Sequence, residues 1–124
     1  MIKSVFTGTR IETFRVLKIY SKIQLVVTIK NSRVHHYCKK NKIKFFLVNK
    51  LNKEKIFKML TNKKLDLLFS AGFPYIFPSY VFKSFKLCIN SHPGLLPNYK
   101  GKNSIKEAFK KKEKKNWNYF AYPD

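Results

Sequence analysis

The chain has 124 residues, 44% of them apolar, and a formal net charge of +21 from 27 Lys and Arg against 6 Asp and Glu. This is one domain's worth of chain with enough apolar material for one core, which excludes a disordered polyelectrolyte. No apolar run reaches the length of a membrane span, and Met1-Ile2-Lys3-Ser4-Val5 lacks the apolar centre of a secretory signal, so the expected location is cytoplasmic, with no membrane partner.

In chain order, residues 2–6 read as a short strand rich in β-branched and aromatic residues, followed by a turn at Thr7-Gly8-Thr9-Arg10. The turn carries one glycine and matches neither a dinucleotide-binding fingerprint nor a Walker loop. Ile11, Phe14, Leu17 and Tyr20 recur every third residue, close to one face of a helix. Residues 23–29 form the second strand, and their run Leu25-Val26-Val27 suits a parallel strand covered on both faces. Asn31 or Ser32 can cap the next helix, with Val34, Tyr37 and Cys38 inward and His35 and His36 toward solvent. Residues 43–48 are a third strand. Asn52 is placed to cap a third helix, with Leu51 and Ile56 as a hydrophobic staple and Ile56, Met59 and Leu60 as the buried stripe.

Residues 65–71 are the fourth strand, whose small residues lead into Gly72-Phe73-Pro74-Tyr75-Ile76-Phe77-Pro78. Ser79 can cap one short turn to Lys83, and residues 85–89 are the fifth strand. Ser104-Ile105-Lys106-Glu107 fits a capping box that opens a helix, and residues 117–122 read as a last strand. Strands alternating with helices imply an α/β fold, a mostly parallel twisted sheet with helices on both faces and right-handed connections. No linker or internal repeat divides residues 1–124.

Cys38 and Cys88 are far apart and form neither a disulfide framework nor a zinc ribbon. His35, His36 and Cys38 are too crowded to make a convincing metal site, so no metal is expected. The positive charge admits two readings. One is a polyanionic partner, tRNA or another nucleic acid among them. The other is compositional drift: arginine occurs only at Arg10, Arg15 and Arg33, while Lys, Asn, Ile, Phe and Tyr are all over-used. A reader of nucleic acid would be expected to use more arginine for two-pronged contacts. Drift predicts lysines spread over every exposed face.

The fifth strand runs into Asn90-Ser91-His92-Pro93-Gly94-Leu95-Leu96-Pro97-Asn98-Tyr99-Lys100-Gly101. Asn90 and His92, two positions apart on an extended segment, project to the same side. An amide can hold an oxyanion and an imidazole can move a proton. Pro93 and Pro97 stiffen the loop, and a stiff loop at the carboxyl end of a strand in an open α/β sheet is where ligands usually bind.

This string resembles the signature of the folate-dependent formyltransferases, the family that includes methionyl-tRNA, glycinamide ribonucleotide and sugar N-formyltransferases. The resemblance implies a Rossmann-like formyl transferase N-terminal domain over residues 1–124. It further implies an enzyme that moves a formyl group from 10-formyltetrahydrofolate to an amine. Asn90 and His92 match two of the family's three catalytic residues. Asn90 would donate to the oxyanion of the tetrahedral intermediate. His92 would stabilise that charge and protonate the departing folate nitrogen. Tyr75, Ile76 and Phe77 are similar to the segment whose backbone receives the pterin ring. Gly94, Leu95, Leu96 and Pro97 match the other wall of the folate pocket, with glycine replacing the family's usual serine. The third catalytic residue is an aspartate on a later strand. The strand at residues 117–122 looks like the one before it, and Asp124 falls short of its position, so a truncated domain is expected. Two alternatives stand beside this reading: a folate-binding remnant without turnover, and a basic α/β nucleic-acid-binding protein.

Overall fold

A computed structural model describes residues 1–91. The elements are β1 (Lys3–Gly8), α1 (Ile11–Tyr20), β2 (Lys22–Thr28), α2 (Arg33–Lys40), β3 (Phe45–Leu47), α3 (Lys53–Thr61), β4 (Leu67–Ala71), α4 (Ser79–Phe82) and β5 (Leu87–Ser91). The five strands form one sheet in the order β3-β2-β1-β4-β5, and every pairing is parallel. The expected fold class is therefore observed. The helix and strand expected at residues 104–122 lie outside the described residues.

Parallel pairing follows from helical crossovers, and such a sheet must be covered on both faces. Alternate residues of each strand enter opposite cores. Phe6, Val26, Leu67, Phe69, Leu87 and Ile89 pack with Ile11, Phe14 and Leu17 of α1 and Val34 and Cys38 of α2. On the other face Val5, Leu25, Val27, Leu68 and Cys88 meet Ile56, Phe57 and Leu60 of α3 and Val81 of α4. Phe6 anchors the first core, with an edge-on contact to Phe14 at 5.1 Å and a stack on Phe69 at 6.5 Å.

The helical stripes follow the sequence with local differences. In α1, Ile11, Phe14 and Leu17 are buried, whereas Tyr20 is exposed. In α2, Ser32 is the N-cap and its Oγ accepts from the His35 backbone N–H at 3.1 Å. His35 does not face solvent as expected. It is buried against Phe45, and its Nδ1 accepts from the Asn31 N–H at 2.9 Å. Burial foremost, then the nearby positive groups His36, Lys39 and Lys30, push its pKa below the ordinary value. A neutral ring accepting a backbone bond is a structural histidine. In α3 the expected staple is absent, because Leu51 is 96% exposed. The entry is instead tied by asparagines: Asn49 N–H donates to Asn52 Oδ1 at 2.8 Å, and Asn52 Nδ2 donates to the Leu47 carbonyl at 2.9 Å. Phe57 takes a core position that the stripe had not included, while Met59 is only partly buried. The α4 turn is preceded by Pro78 as its N-cap, so Ser79 is its first residue rather than its cap.

Exposed lysines stand on both helical layers and at the strand starts: Lys18 on α1, Lys39 and Lys40 on α2, Lys55 and Lys58 on α3, and Lys3, Lys22 and Lys86 at the amino ends of β1, β2 and β5. No one face among the described residues gathers them, which matches the drift expectation.

The β1–α1 corner is built on Gly8. Its φ of 133° is one that side chains disfavour, and a Cβ there would overlap the Ala71 carbonyl. That same carbonyl accepts the Thr9 and Arg10 backbone N–H groups at 3.0 and 3.3 Å. Gly8→Ala should therefore lower the unfolding free energy by about 3 kcal/mol or more, combining backbone strain with displacement of β4. Denaturant unfolding of the purified variant measures this, and a loss below about 0.5 kcal/mol would contradict the packing described.

Candidate active site

At the carboxyl edge of the sheet, the face toward α3 and α4 turns polar on three adjacent strands at one register. In β1 the residues pointing toward α3 and α4 run from Val5 to Thr7. In β4 they run from Leu68 to Ser70, and in β5 from Cys88 to Asn90. Thr7 pairs with Ser70, and Ser70 with Asn90, so the three polar residues form one lateral row at the second-to-last position of each strand. The row ends at β1, since Thr7 faces Val27 on β2. Between β1 and β4 the chain order reverses, with α1 leaving toward one face and α3 arriving from the other. That switch point is where open α/β sheets leave a crevice for ligands.

Asn90 is 6% exposed, at the carboxyl end of β5. An amide there can donate into the crevice while its backbone stays fixed in the ladder. Two residues below it on the same face, Cys88 donates its thiol proton weakly toward the Phe82 carbonyl at 3.5 Å. Burial pushes the Cys88 thiol up to about 12 and the Cys38 thiol to about 11. Both are packing residues, with no thiolate available near neutral pH.

The β4–α4 connection, residues 72–78, overhangs this edge. Gly72 takes a φ of 74°, and its carbonyl accepts from Thr9 Oγ1 at 3.0 Å, tying the loop to the β1 corner. Phe73 stacks on Phe77 with centroids 4.7 Å apart and planes within 3°. Tyr75 meets Phe73 edge-on at 5.8 Å, and Lys53 Nζ lies 5.4 Å above the Tyr75 ring. Phe77 also packs on Phe57 and Phe82 and is 3% exposed. Ile76 is 86% exposed. The three residues expected at the cofactor thus differ in side-chain placement: Phe77 anchors the loop in the core, Tyr75 is half-buried, and Ile76 points outward.

His92, Gly94, Leu95, Leu96 and Pro97 lie outside the described residues, as does Asp124. Of the expected site, the structure brings together Asn90 at the end of β5 and the loop at the end of β4. It adds Thr7 and Ser70, which the sequence reading passed over. Their signal was available, because each is a small hydroxyl residue directly after an apolar run, Val5-Phe6 and Leu67-Leu68-Phe69. A hollow of about 200 Å³ lined by Phe14, Lys18, Ser21, Ile23 and Ile43 opens at the opposite, amino edge of β2 and is separate from this site. Among the described residues no cluster of three metal-ligating side chains occurs, and no helix is long and apolar enough to cross a membrane.

An all-parallel α/β sheet in the order β3-β2-β1-β4-β5 defines a Rossmann-like domain. The Formyl transferase family model matches residues 17–116, well over half of the chain, and the chain belongs to that family. Among solved structures it is similar to a phosphoribosylglycinamide formyltransferase from Streptococcus pneumoniae TIGR4. That match has 19% identity and a TM-score of 0.59, and it covers 90% of this chain and 67% of the other. It is also similar to glycinamide ribonucleotide transformylase 1 from Symbiobacterium toebii, with 16% identity and a TM-score of 0.61, covering 90% of this chain and 60% of that one. At these identities the likeness is one of fold. No curated protein matches the chain.

The burial of both thiols leads to a direct expectation. At pH 8 the folded chain should react with a thiol reagent such as iodoacetamide at least about a hundredfold more slowly than the denatured chain. The linkage has a definite sign. The folded pKa values lie above the ordinary thiol value of 9.0, so this contribution is fully present below pH 9 and is lost as pH rises toward 12. Cys88→Ala should flatten the alkaline fall in stability, and an unchanged alkaline profile would show that Cys88 is not the group responsible.

Proposed function

We propose that the chain forms the formyl-transferring domain of a folate-dependent enzyme, taking the formyl group of 10-formyltetrahydrofolate to an amine. Three things support this reading: the family membership, the Asn90-x-His92-Pro93 string, and above all the placement of Asn90. Its amide stands at the carboxyl end of β5 beside the overhanging loop of residues 72–78.

The chemistry asks for little more than positioned donors. The amine nitrogen attacks the formyl carbon, a C–N bond forms, the attacking nitrogen gives up one proton to solvent, and the carbonyl oxygen takes up negative charge. Asn90 donates an amide N–H to that oxygen, a stabilisation that grows as the charge develops. His92 supports the same charge and delivers a proton to the folate nitrogen as its C–N bond breaks. The pterin would lie along residues 75–77, bonding to their backbone, with residues 94–97 as the other wall. No metal has a role in these steps, because a neutral amine attacks an activated formyl group and the leaving nitrogen needs only a proton. The acceptor is an amine, and its finer identity is a matter for assay. The two structural relatives are named for glycinamide ribonucleotide, which makes a phosphorylated amine a natural first candidate beside amino-sugar nucleotides and aminoacyl-tRNA.

The test is calorimetric titration of 5-formyltetrahydrofolate, followed by a formyl-transfer assay on these three acceptors. Saturable binding is expected. In any chain that turns over, Asn90→Ala should lower kcat by about 10²–10³-fold with a smaller change in KM, as for loss of one oxyanion donor. Binding without transfer to any of the three would favour a folate-binding module, and absence of binding would overturn the proposal.

A further inference from the structure

Buried hydroxyls in this fold are satisfied wherever a partner lies near. Ser4 and Ser21 share a bond of 2.7 Å, and Ser21 also donates to the Leu17 carbonyl. Thr28 donates to the Gly8 carbonyl at 2.7 Å and meets Ser32 at 2.8 Å. Thr7 and Ser70 are the exceptions. They are 0% and 1% exposed, and neither Thr7 Oγ1 nor Ser70 Oγ has a hydrogen-bond partner among the described residues. A buried hydroxyl without a partner is destabilising, and proteins rarely keep two side by side without a use for them.

Their position suggests the use. Both lie in the lateral row that ends on Asn90, on adjacent strands and the same face. Neighbouring strands are about 4.8 Å apart, so consecutive members of the row are a little too far for a direct bond and well spaced for a bridging atom. Thr7 and Asn90, two strands apart at about 9.6 Å, are too far for one water to reach both, so a bridging water serves one adjacent pair, Thr7 with Ser70 or Ser70 with Asn90. The amide of Asn90 also needs such support. To present one N–H to a ligand in a fixed direction, the rest of the amide must be held from below.

We propose that Thr7 and Ser70 are positioning residues for Asn90, their hydroxyls relaying hydrogen bonds to its side-chain amide through ordered water between adjacent members of the row at the β1–β4–β5 edge. Its catalytic meaning rests on the formyl-transfer reading; the water site itself does not. In such a row the hydroxyls pass hydrogen bonds from β1 through β4 to β5, and the amide plane is set by the sheet rather than by the loop. The ligand then meets a donor already oriented, which is the condition under which an oxyanion hole acts without reorganisation.

The test uses the whole chain without ligand. Thr7→Val and Ser70→Ala should each lower the melting temperature by about 4 °C, because each removes a hydrogen bond and strands its partners. Thr7→Ser and Ser70→Thr should restore it. In an Asn90→Ala background the same two substitutions should have at most half that effect, since the amide they support is gone. The Asn90 side-chain amide signal in a nitrogen–proton NMR spectrum should shift in Ser70→Ala and return in Ser70→Thr. A rise in melting temperature on Thr7→Val and Ser70→Ala would show that the hydroxyls are dry and unbonded, overturning the proposal. Losses of the same size with and without Asn90 would also overturn it, by showing bonds that bypass the amide. Unfolding of both variants would make the hydroxyls simple fold determinants and sink the proposal too. If the parent chain fails to bind 5-formyltetrahydrofolate, the functional reading falls, while the melting series and the amide signal still decide the row.

Discussion

The Ala71 carbonyl is the contact on which the rest of the site depends. It accepts from the Thr9 and Arg10 backbone N–H groups, and Gly8 packs against it where a Cβ could not fit. Through this contact the carboxyl ends of β1 and β4 are held at one level, although some sixty residues separate them in the chain. Chain order reverses at the same place, so the two strands diverge immediately beyond it, β1 into α1 and β4 into the loop of residues 72–78. Thr9 Oγ1 fastens the first residue of that loop. A crevice bounded in this way is set by backbone geometry, which is stiffer than any side-chain arrangement could be.

A buried parallel sheet dictates where polarity can appear. Strands covered on both faces must be apolar along their length, and Leu25, Val26, Val27, Leu67, Leu68 and Phe69 are. Polar side chains enter such strands near their ends, as Ser4 does at the amino edge with Ser21 as its partner and as Thr7, Ser70 and Asn90 do at the carboxyl edge. That three strands turn polar at one register and on one face, while Val27 of β2 in the same lateral line stays apolar, localises the effect to the half of the sheet carrying Asn90. The other face carries Thr28 of β2 and Ser91 of β5 at its edge, but Thr28 is bonded to the Gly8 carbonyl and to Ser32.

Much of the fold was legible in the sequence because its signals are local. Strand runs, the three-residue spacing of Ile11, Phe14 and Leu17, and the Ser32 cap each depend on a few neighbouring residues. The errors arose where a local pattern had a competing partner elsewhere. Leu51 and Ile56 have staple spacing, but Asn49 and Asn52 bond to one another and to Leu47, and this asparagine network turns Leu51 outward. His35 looked like a surface residue until the Asn31 backbone, at a φ of 67°, presented its N–H to the ring. Phe57 sits beside the expected stripe, yet Phe77 arrives from the loop to cover it at 5.4 Å. None of these partners is visible from periodicity.

The site was half legible for a related reason. Asn90 was singled out through its motif, and the loop of residues 72–78 through its prolines, and both lie at the carboxyl edge of the sheet. Thr7 and Ser70 belong to no motif. Each is an ordinary small residue at a strand end, and only the order β1-β4-β5 makes them neighbours of Asn90. Strand order is a long-range property that sequence spacing does not carry. The consequence reaches beyond this chain's own residues. A motif read along the sequence names the groups that touch a substrate, whereas the groups that orient them are gathered across the sheet. In a parallel sheet the two directions are at right angles: Asn90 and Ser91 run along β5, and Thr7 and Ser70 lie across it on β1 and β4. On the proposed positioning role, a substitution at either set acts on the same amide by different routes: removing Asn90 removes the proposed donor itself, and removing a hydroxyl leaves it in place with its direction no longer fixed.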